Sequence, residues 1–199
     1  MKLAASRMSR TSRAFSITEM MVATAVFSLL IGGVLSSHLM GLRFFNISVK
    51  KLSATAECRK ALNAIRDDIR TAKTLYVGTG SNDGFSTFTN AGVRQGSALQ
   101  IYPSTDTNIF VRYYYDPQAR ALKRVSDSQI RPITVASFIT NQTPFRAEDY
   151  LGNGLTNDQN NRIISMTLEL WQPEYSRPGP GGLADYYRLQ TKASRRTIE

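Results

Sequence analysis

The 199-residue sequence predicts an α+β fold, a long N-terminal helix packed against an antiparallel β-sheet. Three observations lead there. Met20–Leu42 is a run of 23 residues without Asp, Glu, Lys or Arg. Helical spacing of apolar residues then continues to about Leu75. Beyond Leu75 the chain breaks into short β-rich runs bounded by Gly, Asn, Asp and Pro.

The uncharged run is long enough to cross a hydrocarbon layer of about 30 Å as a helix. Before it lies a short arm with Lys2, Arg7, Arg10 and Arg13 and no acid, which predicts a cytoplasmic N-terminus. Arg43, Lys50 and Lys51 at the far end reduce the asymmetry. A secretory signal is the plain alternative, but its apolar region runs about 7–15 residues and closes at a small-residue cleavage site. Here the apolar run is longer, and no Pro or strong turn signal follows before residue 75.

Past the span, Cys58, Leu62, Ile65, Ile69 and Ala72 recur at helical spacing, with Arg59, Lys60, Arg66, Asp67, Arg70 and Lys73 on the other faces. The first Pro is Pro103. One helix from Phe15 to about Leu75, roughly 90 Å at 1.5 Å per residue, is therefore expected. Gly32, Gly33 and Gly41 suit either close helix packing in a membrane or a point where the helix loosens. Strands are expected at Thr74–Val77, Gly84–Thr89, Ala98–Tyr102, Ile109–Tyr115, Ala121–Val125, Ile130–Phe138, Ile163–Trp171 and Tyr186–Lys192. In the seventh, Ile164, Met166, Leu168 and Leu170 alternate with Ser165, Thr167, Glu169 and Trp171, giving one buried and one more open face. Tyr113–Val125 predicts a hairpin turning at Asp116-Pro117. The chain thus divides into a basic leader (1–14), a membrane-spanning helix (15–42), its amphipathic continuation (43–75) and a β-rich domain (76–199).

The net charge of +10 suggests nucleic acid until it is located. Residues 43–75 carry eight basic and three acidic residues, whereas 76–199 carries 13 and 11, a balance of +2. All nine tyrosines and Trp171 lie in that nearly neutral part. Aromatics interleaved with Arg bind single strands in some proteins, but in strands they commonly form cross-strand pairs, and the low charge argues against nucleic acid. One cysteine, Cys58, and one histidine, His38, argue against a zinc site, a Cys/His dyad or a Ser/His/Asp triad. Cys58 fits a core position, and no enzymatic activity is expected.

Glu19 is the odd residue. A carboxylate in a spanning helix costs roughly 2.5–3.5 kcal/mol near the bilayer centre and less at an interface. Taken alone, it fits a Glu facing headgroups or one favoured by the helix N-terminus. In context, Ala14-Phe15-Ser16-Ile17-Thr18-Glu19-Met20-Met21-Val22-Ala23 resembles the signature of type IV prepilins and pseudopilins: basic leader, small residue, Phe, Ser or Thr, Glu, long apolar run. The resemblance implies that a prepilin peptidase cuts between Ala14 and Phe15 and that the new α-amino group of Phe15 is N-methylated. It also implies that Glu19, fifth in the mature chain, neutralises the ammonium of a neighbouring subunit. Either charge alone would be left buried and uncompensated. Ala14 stands where the family normally has Gly, and Thr18 where an apolar residue is commoner.

The strand–turn–Leu-x-Arg element at Tyr113–Arg124 also resembles J-type minor pseudopilins of type II secretion. That resemblance implies a non-catalytic subunit at or near the tip of a periplasmic pseudopilus. Before assembly it would be held in the inner membrane by a single span. Its implied partners are other pseudopilins or pilins through the helix, the prepilin peptidase, the inner-membrane assembly platform and lipid. A minor pilin of a type IV or competence pilus, binding DNA or a surface, is the alternative. Some pseudopilins hold calcium in oxygen-rich loops, which makes Asp149, Asn153, Asn157 and Asp158 candidate ligands. Their spacing does not match an EF-hand, and a solvated turn cluster accounts for the segment equally well. No other cofactor is expected.

Overall fold

A computed structural model describes residues 15–89, 92–158, 163–173 and 184–196. Helix α1 spans Ile17–Thr71, 55 residues without a break, including Gly32, Gly33 and Gly41. The chain divides into two units between Ile47 and Ser48. In the first, every described residue from Phe15 to Asn46 is exposed.

The second unit is built on the later part of α1 and ten strands: β1 (Thr74–Gly80), β2 (Phe85–Thr87), β3 (Gln95–Gly96), β4 (Ala98–Tyr102), β5 (Val111–Asp116), β6 (Ala121–Ser126), β7 (Gln129–Ala136), β8 (Phe145–Glu148), β9 (Ile163–Pro173) and β10 (Ala184–Ser194). They form two antiparallel sheets, ordered β2-β1-β4-β5-β6-β7 and β10-β9-β8-β3. The class is therefore α+β, with two sheets where the sequence suggested one. Two strands lie outside the expected set. Gln95–Gly96 is too short to leave a pattern, and Phe145-Arg-Ala-Glu148 has a charged residue at every second position. The helix ends at Thr71, four residues short of the expected Leu75. There the Thr71 hydroxyl bonds back to the carbonyls of Asp67 and Asp68. The Lys73 N–H already donates to the Tyr102 carbonyl at 2.8 Å, which commits the chain to β1.

The helical stripe is buried as its spacing predicts: Cys58, Leu62, Ile65 and Ile69 lie in the core, with Ala72 just past the helix end. One apolar cluster joins them to Leu75, Leu99, Tyr113 and Leu122 of the six-stranded sheet and to Phe145, Ile164, Met166 and Leu168 of the four-stranded sheet. The two sheets approach closely at Gly96, where a Cβ would collide with the carbonyl oxygen of Gly78. Alternation along β9 holds except at Ser165, which is also buried; its hydroxyl accepts from the Gln190 amide of β10.

A polar network fastens α1 to the six-stranded sheet. The Tyr113 hydroxyl donates to Asp68 at 2.7 Å, Arg124 Nε donates to the Tyr113 hydroxyl at 3.2 Å, and Arg124 lies 3.7 Å from Asp68. Burial, then the hydrogen bond to Asp68, pushes the Tyr113 hydroxyl pKa upward, so it remains a donor. The Tyr113–Val125 hairpin forms as expected, with Asp116 Oδ1 accepting from the N–H groups of Gln118 and Ala119. Tyr113→Phe is expected to lower the unfolding free energy by about 1–2 kcal/mol, because the hydroxyl is lost while Asp68 keeps Arg124. Urea titration followed by circular dichroism measures this; an unchanged midpoint would show that the network does not hold the helix.

Candidate functional site

The head of α1 is built from Phe15, Ser16 and Glu19. Ser16 is the N-cap: the Met20 N–H donates to its carbonyl at 3.1 Å, the first helical bond. The Glu19 N–H donates to Ser16 Oγ at 3.3 Å, and the Ser16 N–H donates to Glu19 Oε2 at 2.9 Å. This reciprocal pair is a capping box, which satisfies two N–H groups that the helix start leaves without partners. Its Ser-x-x-Glu pattern is present in the sequence, where the prepilin resemblance drew attention to Glu19 and left Ser16 without a role. Oε1 of Glu19 has no partner among the described residues. Phe15 is 83 % exposed immediately before the box. Ala14, the other half of the expected cleavage site, lies outside the described residues.

Behind the box the helix is long and apolar enough to cross a membrane, and none of its most apolar window is buried in the structure. Two hydroxyls within it bond to their own helix. Thr24 Oγ1 donates to the Met20 carbonyl at 2.9 Å, and Ser28 Oγ to the Thr24 carbonyl at 2.8 Å. Such back-bonding lets a hydroxyl enter an apolar medium without a lost hydrogen bond.

The oxygen-rich loop is organised around its own backbone. Asp149 Oδ1 accepts from the N–H groups of Leu151 and Asn153 at 2.9 and 2.8 Å, and Oδ2 accepts from the Asn153 amide at 3.0 Å. These bonds, with the Asn153 amide contributing most, hold the Asp149 carboxyl below its usual pKa. Asp158 pairs with Arg94 at 3.0 Å. Asn157 is exposed. Two of the four candidate calcium ligands thus spend their carboxylates on a turn and an ion pair. No group of three or more His, Cys, Asp or Glu able to hold a metal occurs among the described residues.

Two arginines set among the tyrosines are engaged within the chain. Arg112 is buried and donates to Gln100 and to the carbonyls of Ser81 and Asn82. Arg124 belongs to the Tyr113–Asp68 network. No family model, no curated protein and no solved structure matches this chain.

Cys58 is fully buried, and desolvation, with a smaller contribution from Glu57, pushes its thiol up to about 12. Thiolate is the reactive form. In the folded protein at pH 8, Cys58 is therefore expected to resist a thiol-specific disulfide reagent, and to react promptly once urea unfolds the chain. Rapid stoichiometric labelling of the native protein would contradict the core placement.

Proposed function

We propose that this chain is a type IV prepilin-like subunit, closest in kind to a minor pseudopilin of type II secretion, whose work is filament assembly. The observation that carries the reading is the carboxylate of Glu19 at the first turn of an exposed, membrane-length apolar helix, directly after the Ala14-Phe15 junction.

Cleavage at that junction would place a methylated ammonium on Phe15, one residue before the N-cap. A cation there meets the positive end of the helix dipole and is disfavoured unless an anion compensates it. Glu19 already holds its own helix start through Oε2 and has Oε1 left for a second donor. In a filament, the Phe15 ammonium of a neighbouring subunit would be that donor, in surroundings where an unpaired charge costs several kcal/mol. Before assembly, the same apolar helix would anchor the subunit in the inner membrane with the leader on the cytoplasmic side. Its partners would be other pilin-like helices, the peptidase, the assembly platform and lipid.

The capping box supplies a discriminating test. Gln serves as well as Glu at this box position, so Glu19→Gln keeps the helix start and removes only the charge. It is expected to reach the membrane fraction normally and to fall by at least about tenfold in sheared filaments, since breaking a buried pair costs about 3–5 kcal/mol. Normal incorporation of Glu19→Gln would remove the charge pairing. N-terminal sequencing of membrane-extracted protein should begin at methylated Phe15; a Met1 start would overturn the prepilin reading.

A further inference from the structure

The outer face of the four-stranded sheet carries features that filament assembly does not use. Along the β9–β10 ladder, Trp171 pairs with Tyr186, Glu169 with Arg188 and Thr167 with Gln190. Directly opposed residues in an antiparallel pair point to the same face. The inner face belongs to Ile164, Met166, Leu168 and Leu170, so these three pairs face outward. On the other side of β9, Ile139 bridges Leu170, which sets Phe138 across from Trp171; the Trp171 N–H donates to the Phe138 carbonyl at 3.1 Å.

Phe138, Trp171 and Tyr186 therefore occupy neighbouring positions in a row across three chain segments, 45 %, 39 % and 58 % exposed. With strands about 4.8 Å apart, the row covers roughly 10 Å. Phe138 has φ 63°, a costly conformation for a bulky residue. Strain of this kind collects where a side chain is held for use.

Beside the row lies a cavity of about 280 Å³. Pro144 is the one apolar residue in its lining; carboxamides and hydroxyls make up most of the rest, Gln190 and Thr167 among them. Among the lining residues Arg146 and Arg188 balance Glu148 and Glu169, and Lys192 of β10 also pairs with Glu148 at 2.6 Å. Glu169 lies 3.9 Å from Arg188, one register step along the β9–β10 ladder from Trp171 and Tyr186. Arg146 Nε is buried, 3.8 Å from Glu148 and without a hydrogen-bond partner among the described residues.

Exposed ring faces beside paired amide, carboxylate and guanidinium groups match the chemistry of a sugar. The rings cover its apolar C–H face, and the planar polar groups bind neighbouring hydroxyls. A polyanion would need a positive groove, and this one is balanced. A protein partner would favour an interface core depleted in charge, and this cavity holds four charged residues. We propose that the outer face of the four-stranded sheet binds a neutral glycan, stacked on Trp171 and Tyr186 and hydrogen-bonded by Glu169 and Arg188.

Trp171 is the only tryptophan in the chain, so its emission reports directly on this face. The full chain, held in a detergent without a sugar headgroup, is titrated with cellohexaose, maltohexaose and chitohexaose, and separately with a thymidine oligonucleotide. At least one hexasaccharide is expected to shift the emission saturably and independently of salt. Tyr186→Ala and Glu169→Gln should each weaken that binding by about tenfold, the loss of one charged or stacking contact. Circular dichroism confirms that both variants are folded, and the near-isosteric Glu169→Gln keeps the test decisive should Tyr186→Ala disturb the hairpin. No saturable response to any of the three sugars would overturn the proposal. So would a response unchanged in both variants, or one given only by the oligonucleotide and lost as salt rises. None of these outcomes depends on whether Glu19→Gln enters filaments.

Discussion

Among the described residues the apolar side chains of Met20–Leu42 are uncovered, and that exposure is the constraint on which the first unit depends. Thirteen large apolar side chains in this stretch are exposed. At about 1.5–3 kcal/mol for each fully buried one, roughly 20–40 kcal/mol is at stake. That exceeds the 5–15 kcal/mol by which a whole domain is typically stable. An isolated chain in water could not leave so much apolar surface open without aggregating. A hydrocarbon layer or a bundle of similar helices would supply the missing cover, and the back-bonded hydroxyls of Thr24 and Ser28 suit either medium.

Polarity at the helix start then becomes the difficult part. A helix entering an apolar medium must satisfy its first N–H groups locally, since water is scarce there. Ser16 and Glu19 do this for two N–H groups within four residues. Glu19 thereby has a structural reason to exist before any partner arrives, beyond the headgroup-facing, dipole and prepilin readings that the sequence offered. The geometry makes the two compatible: one carboxylate oxygen belongs to the helix and the other has no partner among the described residues. The loss of function expected from removing the charge is therefore separable from any loss of helix.

What the sequence disclosed follows the strength of its periodic signals. The stripe from Cys58 to Ile69 and the alternation in β9 are long, regular patterns, and both are buried as expected. Element ends were less legible, because the stop at Thr71 depends on a hydrogen bond from Lys73 to distant Tyr102. The division into two sheets was not legible at all. It rests on a glycine contact between Gly78 and Gly96 and on strands of two and four residues. The aromatic row was hidden for a similar reason: Phe138, Trp171 and Tyr186 are far apart in sequence and meet only through register. The oxygen-rich loop misled in the opposite sense, since Asp149 and Asn153 serve a turn that the sequence shows only as composition.

The charge of the chain is divided unevenly between its helical part and the strands that follow. Excess positive charge lies in the leader and in residues 43–75, while 76–199 is nearly neutral. Within that neutral part, Arg112 and Arg124 are spent on holding loops and helix to the six-stranded sheet. Arg146 and Arg188 face Glu148 and Glu169 on the outer surface of the other sheet. A surface arranged this way has little long-range field and acts only at contact distance, through ring faces and directed hydrogen bonds. Recognition by such a face would tolerate salt. The capping carboxylate of Glu19 works by the opposite rule, because its value rises as water is excluded around it.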